Sequence, residues 1–247
     1  MNALFSNAGG SMGSGRFIAL EGLDGAGKTT LAQSLAAHRY SGQLSGETAS
    51  EGLVFVSRRQ LSETSSFAGR LMDHAATMLW GCGHSTDLSD RFWVNLQAAW
   101  FTAHSETVIA PLLERGWDVI VDGWIYKFWG KLLEQGYERA ELATLFAGTR
   151  TPDSVVLLDI DIDALYRRRS EFSPTELGMH AGYTDFGLDT FREYQGRGMR
   201  NLRSFAQNSR WLTLPVASDE TVEVTSSRVS QLLSRHALAS ATSSIGD

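Results

Sequence analysis

Short apolar runs alternate with amphipathic stretches along most of the chain. Runs that combine β-branched, aromatic and leucine residues predict five strands, at positions 17–20, 53–56, 117–122, 155–159 and 211–214. Apolar residues at helical spacing predict helices between them, from 30 to 38 and across 62–113 with a break at 81–89. Such alternation predicts an α/β fold: a mostly parallel five-stranded sheet with helices on both faces, in three layers.

The pattern predicts one domain over residues 16–236. Residues 1–15 are rich in Gly, Ser and Asn and lack the charged and apolar regions of a signal peptide, so we expect a flexible N-terminal tail. Residues 237–247 are small and polar, and we expect a flexible C-terminal tail there.

Composition narrows the classes of partner. The 22 Lys and Arg residues against 28 Asp and Glu give a net charge of −6, the wrong sign for a protein that binds a nucleic acid polymer by neutralising phosphates. The single cysteine, Cys82, excludes an intramolecular disulfide, and no apolar run approaches the roughly 18 residues of a membrane span. We therefore expect a cytoplasmic protein with a small-molecule partner and no membrane partner.

A phosphate-binding loop follows the first predicted strand and precedes a helix. The motif Gly-x-x-x-x-Gly-Lys-Thr uses glycines to turn the backbone so that successive N–H groups point at phosphate oxygens. Lys28 is expected to reach the β- and γ-phosphates of ATP, and the Thr29 hydroxyl is expected to coordinate Mg²⁺. The predicted nucleotide-binding residues are Gly22, Leu23, Asp24, Gly25, Ala26, Gly27, Lys28, Thr29 and Thr30.

Two further features point to phosphoryl transfer. Asp122 ends the third predicted strand, where a carboxylate can hold Mg²⁺ directly or through water, although Gly123 also fits a simple turn. Arg167, Arg168 and Arg169 follow the fourth strand, and an arginine here can stabilise the transferring phosphoryl group. Three adjacent arginines cannot share one helix face, so the sequence leaves open which of them acts.

Residues 17–30 resemble the phosphate loop of bacterial thymidylate kinases, which carry Asp-Gly-x-Gly-Lys-Thr after Glu-Gly. The resemblance continues at intervals to about Leu202, through residues 108–112, 152–153 and 158–160, while residues 176–179 and 190–197 are more like the divergent thymidylate-kinase-like branch. It implies a P-loop NTPase fold with a helical lid, and transfer of the ATP γ-phosphate with Mg²⁺ to dTMP or a related nucleoside monophosphate. It also places Arg168 as the lid arginine and Asp24 near the acceptor's 3′-hydroxyl. Thymidylate kinases are commonly homodimers, and by analogy the helix around Trp100 is a candidate interface.

The acceptor half of the expected site departs from the family. Where the family has Asp-Arg and an aromatic residue, this chain has Asp122-Gly123-Trp124, and a second family arginine falls near Phe101. A dianionic phosphate needs such charge-assisted partners, so either Arg58, Arg59 or Lys127 substitutes or the acceptor is not thymidylate. The alternative acceptors are a nucleoside, a modified nucleotide or another hydroxylated metabolite. A further alternative is that the protein is a module that binds nucleotide without catalysis.

The acceptor-binding set predicted from the sequence includes one stacking side chain. Trp124 heads an aromatic-rich stretch that offers a surface for stacking on a planar base, although aromatic residues at helical spacing are more often core. The predicted catalytic residues are Lys28, Arg168 and Asp122. The predicted acceptor-binding residues are Asp24, Arg58, Trp124, Lys127 and Glu176.

Overall fold

A computed structural model describes residues 15–41, 53–81, 87–168, 172, 176–178, 183–185, 187–208 and 210–243. The strands are β1 Phe17–Glu21, β2 His38–Arg39, β3 Leu53–Val56, β4 Asp118–Val121, β5 Ser154–Ile160 and β6 Trp211–Val216. The helices are α1 Lys28–Leu35, α2 Ser66–Gly81, α3 Asp90–His104, α4 Ala110–Glu114, α5 Tyr126–Glu134, α6 Arg139–Leu145, α7 Ile162–Arg167, α8 Leu188–Phe205 and α9 Val222–Ser243. A short π-helical segment, Ser105–Ile109, joins α3 to α4.

The six strands form one parallel sheet in the order β2-β3-β4-β1-β5-β6. β1 lies between β4 and β5, with Ala19 opposite both Val121 and Val155. Every residue of β1 is buried, which explains why its sequence is continuously apolar up to Glu21. In a parallel sheet the carboxyl ends of the strands meet at one edge, so the residues that follow β1, β3 and β4 are brought together there.

The helices pack in groups against the sheet. α1 packs on α9 and on β1, β3 and β4, whereas α8 packs on α5, α7 and β5. This arrangement confirms the expected layered α/β fold.

Several details differ from the sequence expectations. The sheet has a sixth strand, because His38, assigned to the first helix, and the following Arg39 pair with β3 after α1 has ended at Leu35. The two-residue strand is too short to give a periodic pattern. The last helix runs to Ser243, so residues 237–243, assigned to a flexible tail, are helical. Residues 1–14 and 244–247 lie outside the described residues, as does most of the predicted lid segment that follows Arg168.

None of the helices within the described ranges is long and apolar enough to cross a lipid bilayer.

Candidate active site

The phosphate loop occupies the turn between β1 and α1. Gly22, Gly25 and Gly27 have φ angles of 150°, 84° and 80°, which side-chain-bearing residues rarely adopt. α1 begins immediately after Gly27, so its N-terminus faces the loop. The Lys28 ammonium donates hydrogen bonds to the carbonyl oxygens of Gly22 and Leu23, at 2.8 and 2.7 Å. The lysine charge is thereby held across the loop that the motif predicts for phosphate binding.

Asp122 connects the phosphate loop to the segment that follows β3. One carboxylate oxygen accepts a hydrogen bond from the Thr29 hydroxyl at 2.6 Å, and the other accepts one from the backbone N–H of Arg58 at 3.1 Å. Asp122 itself is buried. The predicted Mg²⁺ pair, Thr29 and Asp122, therefore converges on one point beside Lys28.

A cavity of about 370 Å³ is linked to the predicted Mg²⁺ pair through Arg58, which lines the cavity and donates its backbone N–H to Asp122. Its lining carries four cationic and two anionic side chains together with aromatic residues and one amide. The lining residues are Asp24, Arg58, Arg59, Trp80, Gln97, Phe101, Trp124, Lys127, Phe128, Lys131 and Glu176. This size falls within the range of small-molecule sites, and the lining has two positive charges in excess.

Arg58 occupies the space next to Gly123. A Cβ atom placed on Gly123 would lie 3.6 Å from the Arg58 Cδ and 3.7 Å from one of its terminal nitrogens, and 3.9 Å from the Lys28 Cε. The Arg58 guanidinium therefore reaches the same region as the Lys28 side chain, from the turn that follows β3. The sequence leaves three substitutes open for the missing arginine. Of these, Arg58 has the atoms nearest to position 123.

Asp24 and Lys127 form a largely buried ion pair at the cavity wall, with side-chain exposures of 23% and 15%. Burial favours the neutral carboxyl of Asp24, but the charges of Lys127 and Lys28 outweigh it and hold the pKa of Asp24 well below its usual range. Burial also lowers the pKa of Lys127. The pKa of Lys28 falls to about 8, first because of burial and then because Lys127 is a like charge nearby. The site therefore brings cations close enough together to disfavour one another's charge.

Glu21 is a buried carboxylate that the sequence analysis did not assign. One of its oxygens accepts the backbone N–H of Trp124 at 2.9 Å, which fixes the turn after β4 to the end of β1. The other oxygen has no hydrogen-bond partner among the described residues. Burial raises the pKa of Glu21, against the lowering effect of Lys28. Its position at the end of a continuously apolar strand is the signal that could have identified it.

Some of the other predicted site residues lie at the cavity and others lie outside its lining. Glu176 and Trp124 do line the cavity. Trp124, however, is only 1% exposed and its ring makes T-shaped contacts with Phe17 and Phe101 in the core. The expectation that it stacks on a base is therefore corrected, because too little of the side chain is open. Arg168 donates to the carbonyl oxygens of Ala217 and Ser218, at 3.1 and 2.9 Å, and does not line the cavity.

Three cavity residues lie outside every motif and stretch that the sequence analysis singled out for the site. Lys131 lies one helical turn after Lys127, and this spacing was a usable signal. Trp80 and Gln97 reach the cavity from the end of α2 and the middle of α3, and only the packing of these helices reveals it.

Comparison with known proteins agrees with this geometry. A protein-family model described as thymidylate kinase matches residues 20–225. A probable thymidylate kinase from Pyrococcus horikoshii is 30% identical over 158 residues, which cover 62% of this chain and 69% of the relative.

Solved structures show the same fold. A thymidylate kinase from Candida albicans superimposes with a TM-score of 0.58 at 19% identity, covering 91% of this chain and 93% of the other. A thymidylate kinase from Ehrlichia chaffeensis gives 0.57 at 19% identity, covering 90% and 99%. The family model covers most of the chain, and the structure joins the phosphate loop, the strand-end carboxylate and the cationic cavity. The chain therefore belongs to the thymidylate kinase family and is an ATP-dependent nucleotide kinase.

Proposed function

We propose that this enzyme transfers the γ-phosphate of ATP to the phosphate of dTMP or a related nucleoside monophosphate, with Mg²⁺, in the cytoplasm. The observation that carries the proposal is the charge of the cavity beside Lys28. Arg58, Arg59, Lys127 and Lys131 outnumber Asp24 and Glu176 by two charges, which matches a dianionic phosphate. A nucleoside has no such charge, so the cavity favours a nucleotide as the acceptor.

The donor nucleotide is assigned to residues 22–30. The backbone of this loop offers N–H groups to the phosphates, and the Lys28 ammonium moves with the transferred group. Thr29 and Asp122 would hold Mg²⁺. Their oxygens lie 2.6 Å apart, and no group of three or more His, Cys, Asp or Glu among the described residues is arranged to hold a metal ion. One hydroxyl and one carboxylate fit Mg²⁺, which keeps several waters and binds phosphate oxygens. A bound ion would neutralise charge on the phosphate oxygens.

The reaction needs no covalent intermediate with the protein. An oxygen of the acceptor phosphate attacks the γ-phosphorus, and the bond to the oxygen that bridges the β- and γ-phosphates breaks, which leaves ADP. Arg58 holds the acceptor phosphate, while Asp24 and Lys127 lie at the wall of the acceptor cavity. Catalysis is thus positioning together with stabilisation of charge.

A substrate panel tests the proposal. The full chain is incubated with ATP and Mg²⁺ and with dTMP, dUMP, AMP, CMP, GMP or thymidine, and ADP and the phosphorylated product are identified by mass spectrometry. We expect a diphosphate product from at least one monophosphate and none from thymidine. Lys28→Ala should lower turnover about 10²–10³-fold with the circular dichroism spectrum unchanged. Absence of product from every monophosphate would refute the acceptor assignment.

A different acceptor remains the second candidate, because Gly123 and Phe101 stand where the family has arginines. A modified nucleotide or another hydroxylated metabolite would then fill the cavity. Turnover restricted to such a compound in the same assay, with no reaction of the standard monophosphates, would favour this candidate. Robust turnover of dTMP alone would instead show that Arg58 and the neighbouring cations compensate for the two missing arginines.

We also infer that two copies associate through α2 and the start of α3. Trp100, named above as a candidate interface residue, is buried within its own chain at 2% exposure. Five large apolar side chains nearby are exposed instead: Phe67, Leu71, Met78, Leu88 and Phe92. Such a patch marks an interaction surface, and a two-fold axis would bury it against itself.

Sedimentation equilibrium tests the dimer. Leu71→Asp should shift the mass from dimer to monomer, because it places a charge in the buried patch. Val224→Asp is the matched control, since Val224 is an equally exposed apolar residue on α9. A wild-type mass of 27.1 kDa at all concentrations would exclude the dimer.

A further inference from the structure

The two residues that follow β3 are held in place by three hydrogen bonds from elsewhere in the chain. The Arg58 N–H donates to Asp122, as described above. The Arg58 carbonyl oxygen accepts the indole N–H of Trp100 at 3.2 Å, and the Ser57 carbonyl oxygen lies 3.1 Å from the Nε2 of His104. Because a carbonyl oxygen can only accept, His104 carries its proton on Nε2.

Trp100 and His104 lie one turn apart on α3, and both are buried, at 2% and 0% exposure. Their rings pack 6.2 Å apart, and the His104 ring also packs against Trp124 at 5.6 Å. The second nitrogen of His104, Nδ1, has no partner among the described residues. Burial lowers the pKa of His104 to about 4, so the ring is neutral near pH 7 and works as a hydrogen-bond donor.

The segment that these residues hold has no regular structure of its own. Residues 57–60 form a turn in which the Gln60 N–H bonds back to the Ser57 carbonyl oxygen at 2.9 Å. A backbone without strand or helix partners would otherwise be free to move, and the long Arg58 side chain would move with it. Fixing the backbone on both sides of Arg58 directs its guanidinium to the space beside Gly123 and Lys28.

We propose that His104 and Trp100 are positioning residues of the acceptor site, which act by holding the Ser57–Arg58 backbone so that Arg58 faces the cavity. This inference rests on the proposed function in one respect, the binding of the acceptor phosphate by Arg58. Neither side chain touches the phosphate loop through these hydrogen bonds. The segment meets the donor half through the Asp122 carboxylate, so we expect the acceptor half to change more than the donor half.

The test separates the hydrogen bond from packing. His104→Leu removes the donor while keeping a buried apolar side chain, whereas His104→Gln can return an amide N–H to the position of Nε2. Trp100→Phe removes only the indole N–H and part of the ring. Thr149→Val is the control for loss of a buried polar group, because the Thr149 hydroxyl is buried and has no hydrogen-bond partner among the described residues.

Steady-state kinetics use dTMP as the acceptor, or AMP if dTMP is not turned over. We expect His104→Leu and Trp100→Phe each to raise the KM for the acceptor about five-fold, from the typical strength of a single hydrogen bond. The KM for ATP should change less than two-fold, and His104→Gln should restore most of the acceptor KM. Equal changes in both KM values, or no rescue by His104→Gln, would refute the proposal.

A second measurement does not depend on activity. Amide hydrogen exchange of the full chain should show faster exchange at residues 58–60 in His104→Leu, with wild-type rates in His104→Gln and Thr149→Val. Unchanged exchange at residues 58–60 in His104→Leu would overturn the positioning role even if no acceptor is found. Faster exchange without turnover of any monophosphate would support the positioning role and refute the proposed acceptor.

Discussion

Replacing Asp122 by Asn tests whether this carboxylate acts in catalysis or only holds the fold. The two contacts of Asp122 differ in kind: Thr29 presents a hydroxyl at 2.6 Å, and Arg58 presents a backbone N–H at 3.1 Å. The amide of Asn can keep its oxygen on the Arg58 N–H and turn its NH₂ group to the Thr29 hydroxyl, which can also accept. Both contacts therefore survive the substitution, and only the negative charge is lost.

The magnitudes follow from this geometry. The free energy of unfolding should fall by no more than about 1.5 kcal/mol, the size of one net hydrogen bond. Turnover should fall about 10²–10³-fold, because a charged group next to the transferring phosphate contributes on the order of 3–4 kcal/mol to the transition state. The Mg²⁺ concentration for half-maximal rate should also rise.

The assay measures kcat, the Mg²⁺ dependence and urea unfolding for the variant and for a control on the same strand. Asp118→Asn is that control: Asp118 begins β4, and its carboxylate binds Arg16 at the end of the strand remote from Asp122. It should leave kcat within two-fold. A value of kcat for Asp122→Asn within three-fold of wild type, with unchanged Mg²⁺ dependence, would show that the charge of Asp122 has no catalytic role.

Three further predictions follow from the site. Since Lys28 has a pKa of about 8 and loses its charge above that pH, kcat/KM for ATP should fall as the pH rises through about 8. A pH–rate profile without this fall would contradict the assignment. Lys127→Met leaves the charge of Asp24 without its partner and should lower the free energy of unfolding by about 3 kcal/mol. The double variant with Asp24→Asn should recover most of this loss. Additive losses of the two single variants in urea unfolding would contradict the pairing. Gly123→Ala should lower the free energy of unfolding by about 1–3 kcal/mol because the φ angle of Gly123 is 139°, although the added Cβ would make only an ordinary contact with Arg58. An unchanged free energy of unfolding would contradict that backbone conformation.

The sequence predicted the features that depend on neighbouring residues. Three glycines within six residues, followed by Lys28 and Thr29, define the phosphate loop, and the loop forms between the strand and the helix that the apolar pattern indicates. The five longer strands were also predicted, because each contains an apolar run long enough to form a pattern. The short edge strand β2 was missed, since two residues cannot show a period.

The acceptor site could be predicted only in part. Arg58 and Lys127 were among the substitutes considered, and both lie in the cavity, but no local pattern distinguishes a cavity residue from a surface cation. Trp124 illustrates the opposite error. Its position after a strand suggested a stacking surface, whereas its packing against Phe17, more than 100 residues earlier, makes it part of the core.

The sequence by itself determined that this protein carries a phosphate-loop motif on an α/β sheet, because that motif and its flanking elements are local. Only the tertiary structure decided how the acceptor half is built. Asp122 meets Thr29 across 93 residues and Arg58 across 64, and Trp100 meets Arg58 across 42. These contacts arise where separate strands and helices end at one edge of the sheet, and no spacing along the chain encodes such a meeting.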